Sequence, residues 1–301
     1  MLMEIAIICL SLLLASAILA AHSLPDNSRH LQIDPNSAAK EVYKRVDGIE
    51  LNIYIFKPPG HQAIDRRPAV VFFHGGGWLH GSSQQFFPQC EYLAARGIVA
   101  MSADYRVKTR DNATPYDCVA DAKSAVRWIR KNATRLGIDP RRIAASGGSA
   151  GGHLAAAAGV VPGFDEIGED IRVSSIPDAL VLFNPPLVLA PYKNFYPANL
   201  AKYKERIGEH PEQISPIHCI TSNCPPTIIF HGEEDQLVPI ETVSMYANAA
   251  KSSGNRCELV TFPNCGHGFF NFRPEATNEM FYETMTRTLQ FLTSLGWLSE
   301  D

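Results

Sequence analysis

Short apolar runs alternate along this chain with longer stretches whose apolar positions recur every three or four residues. Strand-like runs fall at residues 51–56, 69–73, 98–103, 142–145, 179–183, 227–230 and 258–262. The run Ala69-Val70-Val71-Phe72-Phe73 is apolar at every position, the pattern of a central strand covered on both faces. The clearest helix lies between the third and fourth runs. Thr114 is placed to cap it, Pro115 suits its first position, and Asp117 adds a carboxylate to the first turn. Val119, Ala122, Ala125, Val126 and Ile129 then form one apolar face. The helix ends before Gly137, and Asp139-Pro140 turns the chain into the next strand. Strand, helix and strand repeated in this way predict right-handed crossovers and an α/β fold, a mostly parallel doubly wound sheet with helices on both faces.

Two segments break the rhythm. Residues 5–21 are apolar apart from Cys9 and two serines; they end in Ala20-Ala21, and Ser23 and the helix-breaking Leu24-Pro25 come after. That length sits near the top of the signal-peptide range and slightly short of a membrane span, although the preceding residues carry Glu4 and no lysine or arginine. The expectation is a signal peptide over residues 1–23, a polar segment over 24–40 and one domain over 41–301, giving a secreted or periplasmic protein. An uncleaved N-terminal anchor is the alternative, and it alone would supply a stable membrane partner. The second segment, residues 185–225, is rich in prolines and tyrosines and reads as a lid-like insertion over the strand C-termini.

Composition narrows the function. Hydrophobic residues make up 46% and charged residues 19%, as in ordinary globular proteins. A net charge of −4 and ten scattered histidines leave no basic patch for nucleic acid, so a small-molecule or carbohydrate partner is expected. Beyond Cys9, six cysteines remain, which allow 15 pairings. Cys219 and Cys224 could bridge one loop, and Cys90 and Cys118 fall on successive helices and could meet. Cys257 and Cys265 flank a strand and would lie too far apart. Six free thiols is the competing reading. No CxxC or Cys/His spacing supports a metal site, and no cofactor motif is present.

The chemistry gathers at strand ends. The run 142–145 leads into Ser146-Gly147-Gly148-Ser149-Ala150-Gly151-Gly152 and then a helix-prone stretch, which is G-x-S-x-G in a strand, turn, helix setting. A nucleophile on so tight a turn needs glycines two residues either side, and the helix that follows points its N-terminal dipole at developing charge. Upstream, the run 69–73 ends in His74-Gly75-Gly76-Gly77-Trp78, whose glycines let backbone N–H groups approach a substrate oxygen. Downstream, Asp235 lies in a Gly-x-x-Asp-x-x-Val-Pro stretch after the run 227–230, and Gly266-His267-Gly268 follows the run 258–262. Glu233 and Glu234 are rivals to Asp235, read as solvated loop carboxylates. His74 reads as a brace for its loop and His153 as packing, while His218 and His231 show no partner. The order Ser, Asp, His is that of α/β-hydrolases and not of other triad enzymes.

These motifs, with Asp104-Tyr105-Arg106, make residues 51–295 resemble the α/β-hydrolase superfamily. The resemblance is closest to its hormone-sensitive-lipase-like and bacterial acetyl- or feruloyl-esterase-like (BD-FAE-like) branch. It implies Ser149 as nucleophile, His267 as general base and Asp235 as its orienting carboxylate. It further implies an oxyanion hole from the Gly75, Gly76 and Ala150 amides, and Trp78 in the substrate pocket. Asp104 and Arg106 look like an ion pair beneath the active-site loops. The helical cap usual in the lipase branch has little room before the sheet, which favours short acyl groups or bulky carbohydrate esters. The expected activity is a serine carboxylesterase on short-chain, acetyl-type esters. A prolyl-oligopeptidase-like peptidase is the rival enzyme, opposed by the HGGG run and by Ala150 after the serine. A silent hydrolase-fold binding protein is opposed by the filled triad positions.

Overall fold

The structure, a computed structural model, describes residues 38–299. The signal-peptide expectation therefore falls outside the described residues. Among the described residues, no helix is long and apolar enough to cross a membrane.

The strands β1 (Ala39–Val46), β2 (Ile49–Phe56), β3 (Arg67–Phe73), β4 (Val99–Ala103), β5 (Ile138–Gly148), β6 (Ala179–Phe183), β7 (Thr227–Gly232) and β8 (Cys257–Phe262) form one sheet. Its order is β1-β2-β4-β3-β5-β6-β7-β8. The β1/β2 and β2/β4 pairs are antiparallel, and every pair from β4 to β8 is parallel. Residues Ala69 to Phe73 of β3 are fully buried, as the unbroken apolar run requires. The described residues include six helices of eight or more residues: α1 (Phe87–Ala94), α2 (Pro115–Lys131), α3 (Ala150–Val160), α4 (Leu200–Ile207), α5 (Ile240–Ser252) and α6 (Glu279–Ser294). Val119 of α2, Leu154 of α3 and Val243 of α5 pack with Val71 and Phe73 in one core. On the opposite face Phe72 stacks on Phe86, and α1 meets α6 where Tyr92 lies edge-on to Phe281, ring centroids 5.9 Å apart. The α/β-hydrolase architecture is thereby met.

The predicted cap of α2 forms in full. The Thr114 N–H donates to the Asp117 carboxylate at 2.7 Å, and the Asp117 N–H donates back to the Thr114 hydroxyl at 3.4 Å. Strand β1 had no counterpart in the hydrophobic pattern. It is an edge strand with lysines and a glutamate, so it shows no apolar run, and backbone pairing with β2 supplies what side-chain pattern does not.

Two expectations are corrected. Asp104 and Arg106 do not pair. The Arg106 guanidinium bonds Asp121 of α2 through Nε at 2.9 Å and Nη2 at 2.8 Å, while Asp104 accepts from the Asn52 backbone and side chain at 3.3 and 3.2 Å. The reason is desolvation: Asp121 is fully buried and draws both Arg106 and Lys44, whose Nζ lies 2.6 Å away. The proposed cysteine bridges also fail to form. Cys90, Cys118, Cys219 and Cys224 are free thiols, as are Cys257 and Cys265. The Cys118 thiol bonds the Arg106 and Thr114 carbonyls, and the Thr221 N–H donates to Cys224 Sγ at 3.3 Å. Burial pushes the Cys90 and Cys118 thiols well above their ordinary range, and Cys257 up to about 12.

Candidate active site

Ser149 stands at the turn between β5 and α3, with φ 54° and ψ −121°. That is a strained conformation for a residue with a Cβ, and it persists because neighbours hold it. The Ser149 N–H donates to the Phe183 carbonyl at 2.8 Å, and its carbonyl accepts from the His153 N–H at 3.0 Å. A Cβ on Gly151 would fall 2.0 Å from the Phe73 carbonyl oxygen, and one on Gly147 would fall 2.5 Å from that oxygen. Both glycines of the motif are therefore demanded by packing against the end of β3. Ala150 opens α3, so its N–H sits in the first turn, where the helix dipole favours negative charge.

Asp235 and His267 come from the loops after β7 and β8 and meet here. Asp235 Oδ2 accepts from His267 Nδ1 at 2.7 Å and also from the Asn184 amide. Its Oδ1 accepts the backbone N–H groups of Leu237 and Val238 at 2.8 and 2.9 Å. Burial opposes ionisation of this fully enclosed carboxyl. The hydrogen bonds from His267, Val238 and Asn184 outweigh it and hold Asp235 below the usual carboxylate range. Asn184 is a site residue that sequence reading missed. Its φ of 44°, immediately after β6, aims the amide at Asp235, and the one local hint was an asparagine closing a strand. Ser149 and His267 line one cavity, yet the Ser149 hydroxyl bonds no protein group among the described residues. Such contacts are often long without substrate and tighten on binding.

The glycine loop is braced from behind. His74 is buried, bonds the Gly75 carbonyl through Nδ1 at 2.6 Å and stacks on Tyr105 with centroids 4.1 Å apart. Burial lowers its pKa to about 4, so it stays neutral at working pH. Gly76 has φ 116°, and a Cβ there would fall 1.9 Å from the His80 carbonyl oxygen. The Gly75 part of the oxyanion expectation needs correction. Its N–H donates to Gln85 Oε1 at 2.7 Å and is no longer free to meet a substrate oxygen. Among the described residues the N–H groups of Gly76 and Ala150 bond no protein acceptor, and Gly77 is the next along the loop. Gln85, another residue the sequence did not flag, carries the contact onward. Its Nε2 donates to Asn271 Oδ1 at 2.9 Å, and Asn271 Nδ2 donates to the Gly268 carbonyl at 2.9 Å, beside His267.

The cavity holds about 540 Å³. The loop, Ser149 and His267 form one side of it, and Lys202, Tyr203 and Arg206 of α4 form another. The segment between β6 and β7 therefore walls the site. Trp78 borders the cavity but is 2% exposed, and its indole N–H donates to His153 Nδ1 at 3.2 Å. His153 donates in turn through Nε2 to the Ile214 carbonyl at 2.7 Å, and burial lowers its pKa to about 4. Trp78 and His153 thus tie the elbow helix to the β6–β7 segment, and Trp78 serves more as scaffold than as ligand contact. His231 bonds the Val238 carbonyl at 2.9 Å and backs the Asp235 loop, whereas His218 bonds the Pro191 carbonyl away from the site.

Residues 51–249 match the family model described as BD-FAE. The chain belongs to the BD-FAE family. The solved structures carry the likeness across most of the chain. Thermogutta terrifontis esterase 2 phosphoramylated by tabun is 48% identical with a TM-score of 0.83, covering 89% of this chain and 98% of that one. The same esterase with propionate bound is 49% identical, also at 0.83, covering 88% and 97%. Esterase LipC of Mycobacterium tuberculosis is 31% identical over 67% of this chain and 53% of its own length. An acetylxylan esterase of Xylanibacter ruminicola is 27% identical over 67% of this chain and 41% of its own. The chain spans about half the length of the first of these curated relatives. In this BD-FAE family member, the fold brings the elbow, the glycine loop and the Asp235–His267 pair to one place.

Proposed function

We propose that the chain is a serine carboxylesterase for short acyl esters, with Ser149, His267 and Asp235 as its triad. The observation that carries this is the 2.7 Å bond from His267 Nδ1 to the buried Asp235, in the same cavity as a serine held on a strained elbow. With Nδ1–H donating to Asp235, His267 Nε2 is left as the basic nitrogen.

Ser149 Oγ attacks the ester carbonyl as Nε2 takes its proton, and the imidazolium is stabilised by ionised Asp235. The carbonyl oxygen becomes an oxyanion, held by the N–H groups of Gly76, Gly77 and Ala150. Collapse of the intermediate breaks the bond to the alcohol, which leaves with the proton from Nε2. Water, deprotonated by His267, then releases the acid and restores Ser149.

Propionate and butyrate bound to the Thermogutta esterase support short acyl groups, and similarity to an acetylxylan esterase supports acetyl esters of polysaccharides. The apolar residues 5–21 support export, so that the ester would lie outside the cytoplasm. N-terminal sequencing of the mature protein checks that point, and an intact Met1 on it rules out cleavage. The catalytic reading is tested with 4-nitrophenyl esters of increasing chain length beside acetylated xylan, in the wild type and in Ser149→Ala. Turnover that peaks at two to four carbons and vanishes in Ser149→Ala is expected. Turnover that survives the substitution removes the triad.

A further inference from the structure

One wall of the cavity is cationic without an obvious protein reason. Lys202 and Arg206 lie four residues apart on α4, both half-buried and both lining the cavity. Like charges at that spacing destabilise a helix, and the gain Arg206 takes from the helix dipole in the last turn does not require it to face the cavity. Among the described residues, no aspartate or glutamate lines the cavity. Among the described residues neither cation forms an ion pair, and the single polar contact of Arg206 runs from Nη1 to the Gly77 carbonyl at 3.4 Å. Of the neighbouring carboxylates, Glu205 of α4 is exposed and outside the cavity lining, and two others are committed elsewhere. Asp235 is fully buried and bound by His267, and Glu209 pairs with Lys204 at 3.3 Å on the outer side of the helix. The other titratable groups facing the cavity, His80 and His267, add no negative charge, and Tyr203 has its hydroxyl pKa raised by burial to about 12.

The guanidinium also sits close to the chemistry. A Cβ placed on Gly77 would fall 2.2 Å from Arg206 Nη1, so the cation abuts the loop that holds the carbonyl oxygen. A half-desolvated arginine and a lysine facing the same space form a site for a carboxylate, the arginine through its planar fork and the lysine as a point charge. We infer that the preferred substrate of this site is an ester that itself carries a carboxylate, bound by Arg206 and Lys202 while Ser149 attacks the ester carbonyl. The inference rests on the esterase reading and narrows its substrate class. Low-dielectric walls concentrate the field of the two cations, so such substrates would also be drawn in faster at low salt.

The test compares two matched pairs of esters. Mono-4-nitrophenyl succinate against 4-nitrophenyl pentanoate places the carboxylate on the acyl side. 4-Acetoxybenzoate against methyl 4-acetoxybenzoate, followed by phenol release, places it on the alcohol side. kcat/KM is measured for each in the wild type, Lys202→Met, Arg206→Met and Arg206→Lys. In at least one pair the anionic-to-neutral ratio should fall about tenfold or more in Arg206→Met, mainly through KM, because a charge-assisted contact is worth roughly one to two factors of ten. Lys202→Met should lower the ratio less, and Arg206→Lys should recover part of the loss. Raising salt from about 20 to about 500 mM should lower the wild-type ratio, as screening shortens from about 20 Å to below 5 Å. Ratios that stay constant in both pairs overturn the inference. So does an equal fall for both members of a pair, which would make Arg206 a brace for Gly77 or a direct stabiliser of the oxyanion. Turnover of the neutral esters by the wild type and by Ser149→Ala reports on the triad alone, so failure of that reading is seen separately.

Discussion

Gln85 Nε2 donates to Asn271 Oδ1 at 2.9 Å, and this bond joins the two halves of the site. On one side Gln85 holds the Gly75 N–H of the glycine loop; on the other Asn271 holds the Gly268 carbonyl next to His267. The glycine loop and the His267 loop, which carry the proposed oxyanion donors and the proposed base, are thereby tied together by one chain of three hydrogen bonds.

Gln85→Leu removes both contacts of that side chain and leaves the Gly75 N–H without its acceptor. The expected result is a fall in kcat of about 10- to 100-fold, since misplacement by about 1 Å can cost that much, with a smaller change in KM. Gln85→Glu keeps an acceptor for Gly75 but loses the donor to Asn271, and should fall between. Steady-state kinetics on a short ester, with circular dichroism to confirm folding, decide the matter. An unchanged kcat in Gln85→Leu would show that the loops hold their places without it.

Gly151→Ala places a Cβ against the backbone oxygens of Phe73 and His74, at 2.0 and 2.5 Å. Backbone cannot swing aside as a side chain can, so a loss of about 1–3 kcal/mol or more in urea unfolding is expected. Gly75→Ala meets its nearest atom at 3.2 Å and should be milder in stability. Equal stability of the two variants would contradict the packing argument for the motif.

The acid limb of stability follows from buried histidines. His74 and His153 have pKa values lowered from 6.5 to about 4 by burial, so folding favours their neutral forms. Their contribution is complete above the unfolded pKa near 6.5 and is lost as pH falls from there toward 4. Each site accounts for on the order of 3 kcal/mol across that window. The unfolding midpoint should therefore drop between pH 6.5 and 4, and His153→Gln, though less stable at pH 7, should show a shallower drop. Asp235 has the opposite kind of group but the same sign. Its pKa is lowered by hydrogen bonds, so its contribution persists above the ordinary carboxylate pKa and is lost only in stronger acid. Asp235→Asn should reduce kcat by about 10⁴ at neutral pH, because the amide selects the wrong histidine tautomer.

Paraoxon phosphorylates the Thermogutta esterase, with which this chain shares 48% identity. The nucleophile proposed for this chain is tested by the same reagent: one diethylphosphoryl group on Ser149 is the expected outcome, read by intact mass and located by peptide mapping. Its appearance on any residue other than Ser149, or its persistence in Ser149→Ala, would contradict the assigned nucleophile.

Much of this was legible from residue order. An unbroken apolar run such as 69–73 can only be buried on both faces, and glycines flanking Ser149 can only mean a tight turn, so fold class and elbow follow from local chemistry. Asp235 and His267 were legible for the same reason, each closing a strand whose direction the parallel sheet sets. Contacts between residues far apart in sequence were not. Arg106 chose Asp121 over Asp104 because burial of Asp121, visible only in the packed molecule, sets the electrostatic need. Gln85 engaged the Gly75 N–H, and Asn184 joined Asp235 across 51 positions, through bonds that no spacing encodes. Strand periodicity is a property of neighbours along the chain, while hydrogen-bond partners and the charge of a cavity wall are properties of neighbours in space. The sequence by itself determined which strand ends carry Ser149, Asp235 and His267; only the tertiary structure decided what holds them and that Lys202 and Arg206 line the same cavity.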